Sequence, residues 1–126
     1  MRWLWRWGPA VAYMVAIFVV SGVPDLGPLP ANTSDKVAHA AAYSLLGVLL
    51  TRAVAGMAWA GYTAAAGAKG WLIAAIYAAT DETHQAFVPG RTPEVADWVA
   101  DAAGAALGAL AMIVLARILR AKDREV

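Results

Sequence analysis

The residues with the most chemistry in them recur at helical spacing. Asp35, His39 and Tyr43 stand four apart, so they share one face of a helix. Tyr77, Asp81, His84, Gln85 and Val88 follow an i, i+4, i+7, i+8, i+11 stripe on a second helix. Glu82 points about 100° away from Asp81 on that helix. Asp97, Asp101, Gly104 and Gly108 make a third stripe. In these positions His39, Asp81, His84 and Asp101 can act as acid–base groups. Asp81, His84, Asp97 and Asp101 are also suitable ligands for a divalent cation such as zinc, manganese, magnesium or calcium. Lys36 and Arg91 suit an anionic head group, with Tyr43 and Gln85 to orient it. Asp35, Glu82 and Asp97 complete the pocket. No serine or cysteine stands in a nucleophile motif, so any hydrolysis would use activated water.

Each of these residues also has a plainer use. His39 and His84 can hydrogen-bond carboxylates and fix helix packing. Asp97 can complement a helix dipole, and Lys36 can snorkel to a membrane surface. Arg91 can pair with Asp97 or meet lipid phosphate without selectivity. Gly104-x-x-x-Gly108 can serve packing alone. The plainer uses lose force together, because so many ionisable groups in apolar segments are costly to keep without a function.

The elements that must carry them are apolar. The chain is 61% hydrophobic and 15% charged, with a mean hydropathy of +0.57; soluble domains carry about 25% charge. With 126 residues it is expected to be one domain, residues 1–126. It has no cysteine, which excludes disulfides, thiolate metal sites and a cysteine nucleophile. No basic patch is interleaved with aromatics, which argues against nucleic acid as a partner.

Four helices are expected, at about 7–23, 35–55, 70–88 and 93–119. Prolines and a glycine make 24–34 a loop, with Ser34 or Asp35 capping the second helix. Residues 56–69 read as a connection with frayed helix. Pro89-Gly90 stops the third helix, and Thr92-Pro93-Glu94 reads as an N-cap and first turn. Segments of about 17–25 residues can each cross a hydrocarbon core of about 30 Å. Tyr43, Asp81 and Asp101 would then lie roughly 10–12 Å below their helix ends, at matched depth. A signal peptide competes for the first apolar run, but the run is long for one and no clean small-x-small site follows.

Orientation is read from lysine and arginine. With four antiparallel spans, one side holds both termini and Arg2, Arg6, Arg52, Lys69, Arg117, Arg120, Lys122 and Arg124, while the other holds Lys36 and Arg91. The termini are therefore expected inside, with Trp3, Trp5 and Trp7 as interface anchors. Seven acids fall on the outer half (Asp25, Asp35, Asp81, Glu82, Glu94, Asp97 and Asp101), giving about −5 with neutral histidines. A low-dielectric site does not hold that unpaired. Retained protons, a divalent cation or a cationic ligand would each relieve it.

The runs Asp35-Lys36-x-x-His39-x-x-x-Tyr43-x-x-Leu46-Gly47, Tyr77-x-x-x-Asp81-Glu82-x-His84-Gln85-x-Phe87-Val88-Pro89-Gly90-Arg91 and Asp97-x-x-x-Asp101-x-x-Gly104-x-x-x-Gly108 resemble the VanZ-like family of small bacterial membrane proteins. Position 101 is often asparagine in such proteins, and Asp101 here adds a carboxylate. The resemblance implies a four-helix bundle in the bacterial cytoplasmic membrane. It also implies a cell-envelope role linked to teicoplanin-type glycopeptide resistance, without fixing a reaction. Three functions follow. An envelope enzyme would act on a lipid-linked or phosphate-bearing component. A non-catalytic binder would shield a lipid head group or cation. A proton or ion pathway is disfavoured, because the inner helix halves are almost wholly apolar. Membrane lipids or a lipid-linked envelope precursor are the expected partners, and a divalent cation is the one cofactor class in view.

Overall fold

The computed structural model describes residues 1–24, 27, 34–56 and 58–125. Most of the expected 24–34 loop, Asp25 included, lies outside the described residues. The described chain is four helices and one 3-10 turn, Trp59–Gly61, with no strand among them. The helices are α1 (Arg2–Ser21), α2 (Asp35–Ala55), α3 (Ala64–Gln85) and α4 (Val95–Lys122).

Local chemistry sets the boundaries. Ser34 Oγ accepts the Val37 N–H at 3.2 Å and caps α2. At the other end Gly56 takes a left-handed φ of 78°, which ends the helix without a Cβ clash. α3 begins six residues before the expected start at 70. Thr63 Oγ1 caps it through the Ala66 N–H at 3.1 Å, and the alanines after it are the strongest helix formers. Reading Gly67 and Lys69 as helix-fraying underweights both effects. α3 also stops at Gln85 rather than 88. Pro89 disfavours helical geometry in Val88, and the chain closes instead through Arg91 N–H to Val88 O, 3.1 Å. The expected Thr92 cap is not used: Glu94 takes the N-cap position with no side-chain cap bond, and Pro93 precedes the helix.

α1 starts at Arg2, five residues before the expected start, and contains Pro9. Proline has no N–H, so the Trp5 carbonyl loses its helical donor. Arg52, from the last turn of α2, donates to that oxygen at 3.1 Å. Arg6 reciprocates: Nε donates to Ala53 O at 2.5 Å and Nη2 to Val54 O at 3.0 Å, where α2 leaves carbonyls unpaired. Arg6→Ala is therefore expected to cost roughly 1–2 kcal/mol, read as a lower thermal midpoint in detergent; an unchanged midpoint would show the clamp to be incidental.

The bundle closes on small residues. A Cβ on Gly104 or Gly108 would run into the backbone carbonyls of Ala40 and Ser44, and one on Gly47 into Ala105. Backbone contact between α2 and α4 is thus direct, as a Gly-x-x-x-Gly face permits. α3 is tied to α4 by two indoles: Trp71 Nε1 donates to Ala102 O at 2.9 Å and Trp98 Nε1 to Ala75 O at 3.0 Å. α1 is the outlying helix, with only Ala10 and Ser21 buried. It is held through Tyr13 OH to Ala42 O at 3.0 Å and Tyr77 OH to Met14 O at 2.5 Å.

Polarity is inverted relative to a soluble core. Asp81, Glu82, Gln85, Asp97 and Asp101 are buried, while Val15, Val19, Leu107, Leu110 and Ile118 are exposed. α1, α2 and α4 are long and apolar enough to cross a membrane. α3, rich in alanine and glycine and carrying Lys69, Asp81 and Glu82, is not among them.

Candidate functional site

The ionisable groups gather at one end of the bundle, but in two sets rather than one. The divide falls between Asp81 and Glu82, consecutive on α3 and about 100° apart. Asp81 turns towards α1 and α2. Its carboxylate accepts the Ser21 hydroxyl at 2.6 Å, the Gln85 amide at 3.3 Å and the Tyr43 phenol at 3.5 Å. Glu82 turns towards α2 and α4. There Oε2 accepts the Glu94 backbone N–H at 3.2 Å.

The second set centres on His39. Its Nδ1 lies 2.8 Å from Asp101 Oδ1, and its Nε2 lies 3.8 Å from carboxylates of both Asp35 and Asp97. Lys36 pairs with Asp97 and, at 2.8 Å, with Glu94. The ammonium expected to hold a head group is therefore engaged by two acids. Glu94, read from sequence only as a first-turn acid of the fourth helix, takes part twice, through its side chain and its backbone. Four buried side-chain atoms have no hydrogen-bond partner among the described residues: Thr51 Oγ1, Glu82 Oε1, Asp101 Oδ2 and Arg91 Nε.

His84 stands apart from the His39 set and meets the Asp81 set through Ser21. Its ring stacks on Phe18 with centroids 4.1 Å apart and planes 17° from parallel. Its Nδ1 is 3.4 Å from Ser21 Oγ. Of the expected metal ligands, Asp81 and His84 face α1, whereas Asp97 and Asp101 face His39. The groupings whose donor atoms approach within 4.8 Å of one another are instead Asp35, His39 and Asp97, and His39, Glu82 and Asp101.

A cavity of about 340 Å³ opens between α1, α2 and α3. Ile17 and Val20 of α1 and Ala38 and Ala42 of α2 make its apolar sides, while Ser21, Asp35, His39, Asp81, Gln85 and Arg91 contribute its polar end. The cavity thus has the two-part character of an amphiphile. Ser21 is the residue that spacing arguments missed. It is the one serine or threonine in the first apolar run, at that run's end, and this placement was its only signal.

No curated protein and no solved structure matches the chain. A family model described as VanZ/LLP1 matches residues 7–117, a stretch that takes in the two charged sets, the cavity and most of all four helices. The chain belongs to the VanZ/LLP1 family.

Proposed function

We propose that the protein spans the bacterial cytoplasmic membrane four times and binds the phosphate-bearing head of a lipid or lipid-linked envelope component in the α1–α2–α3 cavity. The single observation that carries this reading is the unpartnered, buried Nε of Arg91 at the polar end of a cavity with apolar sides. A buried guanidinium donor without an acceptor is costly, and a phosphate or carboxylate oxygen is the acceptor it is built for. The apolar walls suit the chain that such a head group carries.

The inverted polarity supports insertion, since buried carboxylates and exposed Leu, Val and Ile side chains suit hydrocarbon better than water. Excess lysine and arginine at the ends holding both termini, with Trp3, Trp5 and Trp7 beside them, supports an inside location for the termini and an outward-facing cavity. Family membership supports a link to teicoplanin-type resistance. A protein that occupies or alters envelope lipids would change how a glycopeptide reaches its target. Asp81 adds a catalytic reading. It accepts a 2.6 Å bond from Ser21 and is placed to take a proton from a hydroxyl or water at the cavity's polar end.

Native mass spectrometry of the purified chain should show phosphate-bearing lipid retained by the wild type. Arg91→Ala should loosen it about ten- to a hundredfold, the loss of one charge-assisted contact. Equal retention would remove Arg91 and this cavity from ligand binding. Conversion of the bound lipid, lost in Asp81→Asn, would make the site an enzyme; retention without conversion would make it a binder.

A further inference from the structure

Two of the unpartnered atoms belong to residues that share one grouping of donor atoms. Glu82 Oε1 and Asp101 Oδ2 are buried carboxylate oxygens from α3 and α4, in residues 8% and 0% exposed. One donor atom each from Glu82, Asp101 and His39 falls within 4.8 Å of the others. Neither oxygen meets a lysine or arginine among the described residues. Lys36 is committed to Asp97 and Glu94, and Arg91 lines the α1–α2–α3 cavity. Asp101 Oδ1 meets His39 Nδ1 at 2.8 Å, but the second oxygen of Asp101 and one oxygen of Glu82 find no donor, and a buried carboxylate pair is strongly disfavoured unless its remaining lone pairs are satisfied.

We propose that His39, Glu82 and Asp101 form a divalent-cation site at the junction of α2, α3 and α4, selective for an ion of the zinc or manganese class. One imidazole and two carboxylates form a donor set suited to these ions. Their metal–ligand bonds of about 2.0–2.2 Å leave donors roughly 3–4 Å apart, so the present spacing needs only a small closure. Two carboxylates and a neutral imidazole also balance the ion's charge. Surrounding groups already orient the donors. The Glu94 N–H holds the other oxygen of Glu82 at 3.2 Å. Nδ1 is on the Asp101 side of the His39 ring, while the Asp35 and Asp97 carboxylates lie 3.8 Å from Nε2, where a slight closure would let one of them accept the N–H of a ligating histidine. The other acidic grouping, Asp35, His39 and Asp97, is the weaker site, since Asp35 is exposed and Asp97 is already paired with Lys36. This site does not depend on the lipid reading, although His39 borders both.

The test is a titration of the full chain, purified in detergent and stripped with EDTA, with Mn²⁺ read by its free-ion EPR signal. One ion should bind per chain. Glu82→Gln and Asp101→Asn should each weaken binding at least roughly tenfold, while His84→Ala, which removes the only other histidine, should bind as the wild type does. EDTA should lower the wild-type thermal midpoint, and Mn²⁺ or Zn²⁺ should restore it; Glu82→Gln should respond to neither. No bound ion at millimolar Mn²⁺ overturns the proposal. So does wild-type affinity in both carboxylate variants, or equal loss in His84→Ala. A wild-type midpoint indifferent to EDTA and metal, with Glu82→Gln more stable than wild type, overturns it too, and assigns the pair a shared proton.

Discussion

Gly104→Val and Gly108→Val should each leave little folded protein. Both glycines lie where a Cβ would collide with the backbone of α2, at Ala40 and Ser44 respectively. A flexible side chain could move aside, but a carbonyl inside a helix cannot. α2 and α4 would have to separate along the largest interface of the bundle, opening voids beside Tyr43, Leu46 and Ala105. Overpacking of this kind costs about 3 kcal/mol or more, a large share of the 5–15 kcal/mol of a typical domain. Alanine at either position should already lower the thermal midpoint in detergent. Gly8 is the control, since nothing lies within 4 Å of a Cβ built there. Gly8→Ala should be neutral or stabilising, by up to about 1 kcal/mol. Equal tolerance of alanine at positions 8, 104 and 108 would contradict the close α2–α4 approach.

The second large effect is expected at Asp81. One carboxylate collects the Ser21 hydroxyl, the Gln85 amide and the Tyr43 phenol, so it joins α1 and α2 to α3. Leucine would strand those donors in a buried site, at about 1–3 kcal/mol for each one left unsatisfied. The 2.6 Å Ser21 bond should dominate, because the other two are long. Asp81→Leu is therefore expected to destabilise by about 3 kcal/mol. Asp81→Asn keeps an oxygen for Ser21 and should lose less. Protease accessibility of α1 should rise in the leucine variant. A leucine variant as stable as the wild type would mean that the three donors find other partners and that Asp81 does not organise this end of the bundle.

Much of this architecture is legible in the residue pattern itself. Apolar runs, the Pro89-Gly90 stop and the Ser34 cap located all four helices, because those signals are local. The start of α3 was harder. An Ala/Gly/Lys stretch looks weakly helical by hydropathy, and its cap, Thr63, stands between Tyr62 and three alanines, with no change of polarity to mark a boundary. Spacing correctly put Asp35, His39 and Tyr43 on one face, and Asp97, Asp101, Gly104 and Gly108 on another. It could not say how far each helix is rotated about its axis in the bundle. That rotation sends Asp81 and Glu82 to different neighbours and leaves His84 against Phe18. It also could not assign Lys36, whose long side chain reaches Glu94 and Asp97. Ser21 shows a different gap: a single serine in an oily segment carries no period, so only its partner Asp81 reveals its use.

The indoles of Trp71 and Trp98 bridge α3 and α4 through ring N–H bonds to Ala102 and Ala75. Emission from an indole shifts when its ring nitrogen gains or loses an acceptor. The chain therefore carries an intrinsic optical gauge across that seam. Any event that parts the two helices, whether heating, substitution or occupancy of a neighbouring site, registers there without an added dye.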